Sequence, residues 1–464
     1  MRLVVSLALY GTAPAMLLGC SSLDRATDVA AGYVSHQLCS ATFVSRVEPE
    51  QFYRESIAPV LSPVDFLADH QVDHARGQVG ARFAGVADAR AVNRGPLGCL
   101  VVRGEPPGPV TLAPHTPAPA LLPAIAGPAM VEPGHPALKQ ALDRAFAENA
   151  AAPYRNTKAV VVVRNGQVIA ERYAEGYGID TPILGWSITK SVTNALIGIL
   201  VRQGKLSVAG PAPIAAWSNP ADPRHAISVD NLLRMNSGLA IGDSLTARAS
   251  TAFDPSAYMV FGVRDMAAFA EQASLEAAPG TRWTYTNGNT LLLSRIVRDK
   301  TGGDAASVLA FARRELFDKL GMRHVTLEFD ATGTPIGSSH MLASARDWAR
   351  FGLLYLNDGM VGGERLLPAG WVDYSAAATP GSETYGYAAG FWTNRGDGAG
   401  QRYRIARGIP ADAFFARGAM GQYVVIVPSQ KLIVARFGSA FTPRDDMDVV
   451  ARLVADVIAT LPPP

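Results

Sequence analysis

Apolar positions along the chain recur with two periods, and the changes between them divide it. Residues 30–40 and 48–60 have helical spacing; 80–84, 89–94 and 99–103 read as short strands between Gly and Pro breaks. Together these predict a small N-terminal α+β accessory domain over 31–103. Residues 104–136 hold ten prolines, which fix φ and donate no hydrogen bond, so an extended surface connector and the main domain boundary are expected there. Residues 136–150 carry Leu138, Leu142 and Phe146 on one helical face. Strands at 159–164 and 167–173 then flank Asn165-Gly166, the pair preferred in a type I′ hairpin turn. Helical spacing dominates 205–350, at 229–235, 263–271, 290–301, 305–316 and 344–356. Strands return after Leu366; 423–427 and 432–437 flank a second turn, and 445–461 is a closing amphipathic helix. The expected organisation is α/β over 137–200 and 360–464, with a mainly helical part at 201–359 and no internal repeat.

One helix departs from the amphipathic pattern. Residues 187–203 have no charge between Lys190 and Arg202, so they read as buried nearly all round, with Gly204 as the stop. Ser187 and Lys190 stand at i and i+3 at its start, on one face, where a hydroxyl and an amine can touch. Partial desolvation lowers a lysine pKa and makes the amine a usable base. The bland alternative is a serine capping a helix with a lysine in its first turn, and S-x-x-K alone does not decide between them.

Composition narrows the classes. The chain has 464 residues, 48% hydrophobic and 18% charged, enough for a large core and two or three domains. A net charge of +2 without a basic, aromatic-interleaved stripe argues against nucleic acid as a partner. His70 and His74, beside Asp69 and Asp73, read as a solvated face rather than a metal site. Arg2, a short broken apolar run and Leu17-Leu18-Gly19-Cys20 read as an export signal of residues 1–20 resembling a bacterial lipobox, with Cys20 as the lipidation candidate. Residues 21–30 would be the tether, and the protein would sit in the periplasm, lipid-anchored to the outer membrane. In that compartment Cys39 and Cys99 read as a disulfide, neither of them catalytic.

Three Tyr-x-Asn triplets occur, at Tyr154, Tyr285 and Tyr355. The first precedes a hairpin and the third ends a helix. The middle one, Tyr285-Thr286-Asn287, lies in a polar loop entering a helix, where a phenol can be presented to a cleft. Acyl transfer also needs backbone donors for an oxyanion. The N–H of Ser187 is one candidate. The glycines of Gly418-Ala419-Met420-Gly421 allow the close backbone approach a second would need.

The order S-x-x-K, Y-x-N and a glycine-containing strand resembles the serine hydrolases related to class C β-lactamases and penicillin-binding proteins. The surrounding segments Leu184-Gly185-Trp186-Ser187-Ile188-Thr189-Lys190, Leu232-Leu233-Arg234-Met235-Asn236-Ser237-Gly238, Trp283-Thr284-Tyr285-Thr286-Asn287, Ser344-Ala345-Arg346-Asp347-Trp348 and Gly418-Ala419-Met420-Gly421-Gln422 are most similar to the 6-aminohexanoate-dimer (nylon-oligomer) hydrolase and family VIII esterase branch. The resemblance covers 137–464. It implies a β-lactamase/transpeptidase-like fold, an antiparallel sheet flanked by helices. It also implies Ser187 as nucleophile, Lys190 and Tyr285 as the proton shuttle, Asn287 bonded to substrate or Lys190, and the N–H of Ala419, after Gly418, as second oxyanion donor. No metal or organic cofactor is implied. The family's third motif usually opens with Lys or His two residues before the glycine, and here that place is Ala416, with Arg417 beside it. That departure favours small esters or uncharged-end amides over β-lactams. The alternatives are a D,D-peptidase or β-lactamase using Arg417, and a catalytically silent cell-envelope binding protein.

Overall fold

A computed structural model describes residues 13–245 and 249–462. The run Val160–Val163 is apolar at every position, and the main sheet supplies the reason. Its six antiparallel strands follow the order Trp392–Thr393, Phe414–Gly418, Gln422–Val427, Leu432–Gly438, Thr157–Arg164, Gln167–Tyr173. Alternate side chains enter opposite layers. Val160 and Val162 pack with Leu138, Leu142, Val450 and Val454, from the helices Pro136–Phe146 and Met447–Ala459. Val161 and Val163 pack into the larger core with Ile188, Val192 and Trp348, from Ile188–Arg202 and Ala345–Leu356. With helices on both faces, no position in this run of the strand is left for a polar residue. The hairpin turn has φ of 50° at Asn165 and 79° at Gly166, the left-handed pair that a type I′ turn requires.

The part between the sheet halves is mainly helical. The helix entered from the Tyr285 loop begins at Asn287, three residues ahead of the expected 290, because Thr286 caps it by accepting from Gly288 N. Residues 313–317 continue their helix as a π turn. The helix Pro255–Phe261 has no counterpart in the sequence reading, although Asp254-Pro255 is a start signal: Asp254 accepts from Ser256 N and Pro255 takes the first position.

The N-terminal part departs most from expectation. Residues 21–30 are no tether: they lie inside one unbroken helix, Ala13–Cys39. Ala26, Val29, Ala30, Tyr33 and Val34 recur at helical spacing and are buried, while the turn before them, Ser22–Arg25, is exposed. Four strands form an antiparallel meander in chain order, and its first, Ala68–Asp73, was not foreseen. His70 lies in that strand and pairs with Glu50 at 3.0 Å, while His74 packs on Phe43, so the two share no ligand geometry. Cys39 and Cys99 are bonded, joining the end of the helix to the last strand. The start of the export signal, residues 1–12, lies outside the described residues; Cys20 falls on the helix backbone. Among the described residues no helix is long and apolar enough to cross a membrane.

Residues 104–136 are extended, yet they are strapped to the body. Leu122 and Ile125 are buried, Ile125 O accepts from Val168 N, and Val131 N donates to the carboxylate of Glu171. Arg346 fixes the strap by donating to the carbonyls of Gly127 and Ala129 while it pairs with Glu171.

Candidate active site

The turn before the apolar helix is built by close packing. Gly185 donates to Met341 O at 2.9 Å, and a side chain at Gly185 would collide with the Trp348 ring, its Cβ 2.4 Å from Cζ2. Trp186 follows at φ 48°, a left-handed conformation that is costly for a bulky residue. This strained residue delivers Ser187 to the first position before the helix, half-buried and facing a cleft.

Lys190, one turn on, is buried. Its Nζ contacts three acceptors: Ser187 Oγ at 3.1 Å, Asn287 Oδ1 at 2.7 Å and Ser338 O at 2.8 Å. All three are neutral. With no anion to hold the proton, desolvation lowers the lysine pKa to about 7. Asn287 is itself held, since its N donates to Ser244 Oγ and its Nδ2 to Ser256 Oγ. Of the two roles expected for Asn287, the structure places it on the lysine. Ser338, Ser244 and Ser256 carried no sequence signal, because a backbone carbonyl and common hydroxyls acquire their meaning only from the fold.

The Tyr285 loop is anchored by the 232–239 segment. Gly280 N donates to Asn236 O, Thr284 N to Met235 O, and Ser237 Oγ to Asn289 Oδ1. These bonds bring the Tyr285 ring to the lysine, with Nζ 4.9 Å from the ring centroid. The other two triplets are elsewhere. Tyr154 is exposed, and Tyr355 is buried and donates to Asn194 Oδ1 at 2.6 Å.

Gly418 ends its strand against the nucleophile turn. A Cβ there would lie 2.1 Å from Gly185 O, so only glycine permits the approach. That contact sets Ala419 at the same cleft as Ser187. Ala416 is buried and carries no charge. The Arg417 guanidinium lies over the Trp392 ring at 5.1 Å, and it lines a neighbouring cleft with Arg404 and Arg444 rather than the one holding Ser187.

A family model described as beta-lactamase matches residues 142–459, more than half the chain. The chain belongs to the beta-lactamase family. A 6-aminohexanoate-dimer hydrolase of Paenarthrobacter ureafaciens is 25% identical over 289 residues, 61% of this chain and 72% of the relative. A putative 6-aminohexanoate-dimer hydrolase from Bacillus anthracis superposes with a TM-score of 0.55 at 24% identity, covering 66% of this chain and 81% of that one. A penicillin-binding-protein homologue from Caulobacter crescentus gives 0.54 at 16% identity, over 72% and 99%. Both solved structures share the β-lactamase/transpeptidase-like fold. The protein is thus a serine hydrolase of the beta-lactamase family, and the family match begins after the N-terminal helix, meander and strap.

This family member also holds a buried cluster beside the site. His36, Glu328 and His340 bring potential metal-binding atoms within 4.8 Å of one another, the one such group among the described residues. His36 Nε2 lies 2.7 Å from Glu328 Oε2, while Glu328 Oε1 accepts from Ser40 Oγ and Cys99 N. These three partners of the Glu328 carboxylate come from the N-terminal part. The cluster acts as a polar pin between that part and the catalytic body. Burial drives the His340 pKa well below its usual value, with His36 and Lys190 adding to the effect, so its imidazole is neutral.

Proposed function

We propose that the protein cleaves small ester or amide bonds through an acyl-enzyme on Ser187. The observation that carries this reading is the buried Lys190 amine, 3.1 Å from Ser187 Oγ and surrounded by neutral acceptors. A lysine with a pKa near 7 is substantially unprotonated at neutral pH and can accept a proton. Lys190 takes the Ser187 proton as Oγ attacks the substrate carbonyl. The oxyanion is held by the N–H groups of Ser187 and Ala419. The proton passes, with Tyr285, to the departing alcohol or amine. Water then attacks the acyl-enzyme by the reverse route, releasing the acid and restoring Ser187.

Two observations favour neutral substrates over carboxylate-bearing β-lactams. Ala416 stands where a cation would serve, and the cleft at Ser187 is lined by Asp243 and Asp254 instead. The relatives' printed substrate, an aminohexanoate dimer, makes linear amides part of the range to be tried. Export and a lipid anchor at Cys20 belong to the same reading, and they put the enzyme in the periplasm.

The test uses purified protein, a fluorophosphonate probe, p-nitrophenyl butyrate, nitrocefin and a 6-aminohexanoate dimer. Labelling and ester turnover are expected, and both disappear in Ser187→Ala. A folded wild type inert to every reagent overturns the proposal in favour of a silent binding protein, and nitrocefin cleavage faster than ester cleavage overturns the substrate class. Cys20→Ser is expected to release the protein from membranes.

A further inference from the structure

We propose that the N-terminal part, which lies outside the family match, forms the substrate-recognition wall of the active site, and that it recognises an uncharged aliphatic group. This inference rests on the acyl-enzyme reading above and goes beyond it by assigning the substrate class and the residues that select it.

The cleft holding Ser187 is open to solvent and is lined mainly by apolar side chains. Val29, Ala30 and Tyr33 of the first helix, with Val60 and Leu61, line it from one side. Val260 and Phe261, at the end of the Pro255–Phe261 helix, line it from another. These are carbon surfaces. The one polar group among them, the Tyr33 hydroxyl, is turned to Ser56 O, and burial raises its pKa, so it stays neutral. The Tyr33 ring stacks on Trp186 at 6.4 Å and 21° and meets Phe261 edge-on at 5.6 Å. Trp186 is the strained residue preceding Ser187. The N-terminal helix therefore touches the nucleophile's own turn.

The wall is fixed in place. Arg103 donates to Asp28 O and Phe261 O, bonding the end of the meander to both sides of the cleft. Gly32 packs so closely that a Cβ there would lie 2.7 Å from Phe261 O. The disulfide braces the first helix against the last strand of the meander, and the His36–Glu328 pair completes the attachment to the body. A preformed apolar wall spends little binding energy on ordering itself, which suits selection by size. Asp243 and Asp254 at the same cleft disfavour an anionic substituent.

The experiment measures kcat/KM for p-nitrophenyl acetate, butyrate, hexanoate and octanoate and for the p-nitrophenyl monoester of succinate. It uses the full chain, Ala30→Phe and Leu61→Ala, with circular dichroism melts to establish folding. The wild type is expected to prefer butyrate or hexanoate to acetate by about tenfold, the scale that one or two methylenes command in an apolar pocket. It is also expected to reject the succinate ester relative to butyrate. Ala30→Phe is expected to lower the hexanoate-to-acetate ratio about tenfold, and Leu61→Ala to shift the optimum to a longer chain. A wild type with no chain-length preference, or one that takes the succinate ester as readily as butyrate, overturns the inference, and so does an unmoved profile in folded variants. Fluorophosphonate labelling of the wild type separates the two failures. Labelling with a flat profile sinks the recognition wall alone, whereas absent labelling sinks the acyl-enzyme reading beneath it.

Discussion

The catalytic body and the N-terminal part are stabilised in different ways, and both meet at Ser187. The body buries a six-stranded sheet between helical layers, with apolar clusters on each face. The N-terminal part has four short strands under one long helix and several short helical segments, and its own cluster takes in Val260, Phe261 and Met420 from the body. It is braced internally by a disulfide and attached by a buried histidine–glutamate pair and an arginine bridging to Phe261 O. A thick core can carry strain such as the φ of 48° at Trp186. A thin unit borrows a neighbour's surface, and here the borrowed surface is a wall of the active site.

The largest expected effect tests the body. Lys190→Ala should lower kcat/KM for p-nitrophenyl butyrate by roughly 10²–10⁴-fold, the contribution of a positioned general base. In the wild type, kcat/KM should rise with pH through an inflection near the lysine's pKa of about 7, and this inflection should vanish in the variant. Stability should respond in the same direction. The native lysine gives up its proton near pH 7, while an unfolded one holds it to about pH 10.4, so the unfolded chain binds more protons across that window. Stability from this group therefore increases as pH rises from about 7 and is flat below it. A pH–rate profile without an inflection near 7 would remove Lys190 as the base.

How far the sequence could be read follows the same division. An unbroken apolar run marked the Val160–Val163 strand, the absence of charge the 187–203 helix, and a dipeptide the Asn165-Gly166 turn, because each is decided by residues near it in sequence or by two covering layers. Ser187, Lys190, Tyr285 and Gly418 were visible as spaced motifs. Ser338 was not, since its part is played by a carbonyl, nor was Tyr33, whose place at the cleft depends on packing of an entire helix against Phe261. The 21–30 stretch misled because its exposed start, Ser22–Arg25, looks like a tether, whereas Ala26, Thr27, Val29 and Ala30 after it are buried by packing of the whole helix. The proline-rich strap misled more mildly. Prolines dictate extension, but Leu122 and Ile125 between them are buried.

The next two tests act on one attachment and on the internal brace. His36→Ala leaves the fully buried Glu328 side chain without one of its hydrogen-bond partners, a change that typically costs about 1–3 kcal/mol. Urea unfolding should register it as a lower midpoint. Replacing Cys39 and Cys99 together by serine opens a link between residues 60 apart in sequence, worth about 2–4 kcal/mol. Both should lower the hexanoate-to-acetate ratio more than they lower acetate hydrolysis, because they loosen the wall and not the Lys190 contacts. Equal losses on both esters would mean that the N-terminal part supports the nucleophile turn as a whole, and the contrast between selecting and reacting regions would fall.

The smallest effect sharpens the contrast most. Asp254 belongs to the body, lines the cleft, and caps the helix that carries Val260 and Phe261 to the wall. Burial raises its carboxyl pKa, so its charge is held against a desolvation cost. Asn caps a helix about as well as Asp, and its amide oxygen can keep the 2.7 Å bond from Ser256 N. Asp254→Asn should therefore leave stability within about 1 kcal/mol, read from thermal melts. The charge at the cleft changes while the apolar wall does not. If the carboxylates of the body exclude anions and the N-terminal wall sets chain length, the variant should hydrolyse the succinate ester several-fold better relative to butyrate, with the hexanoate-to-acetate ratio unmoved. Should both ratios shift together, charge and length would be read by one surface, and the division of labour between the two parts of the molecule would have to be abandoned.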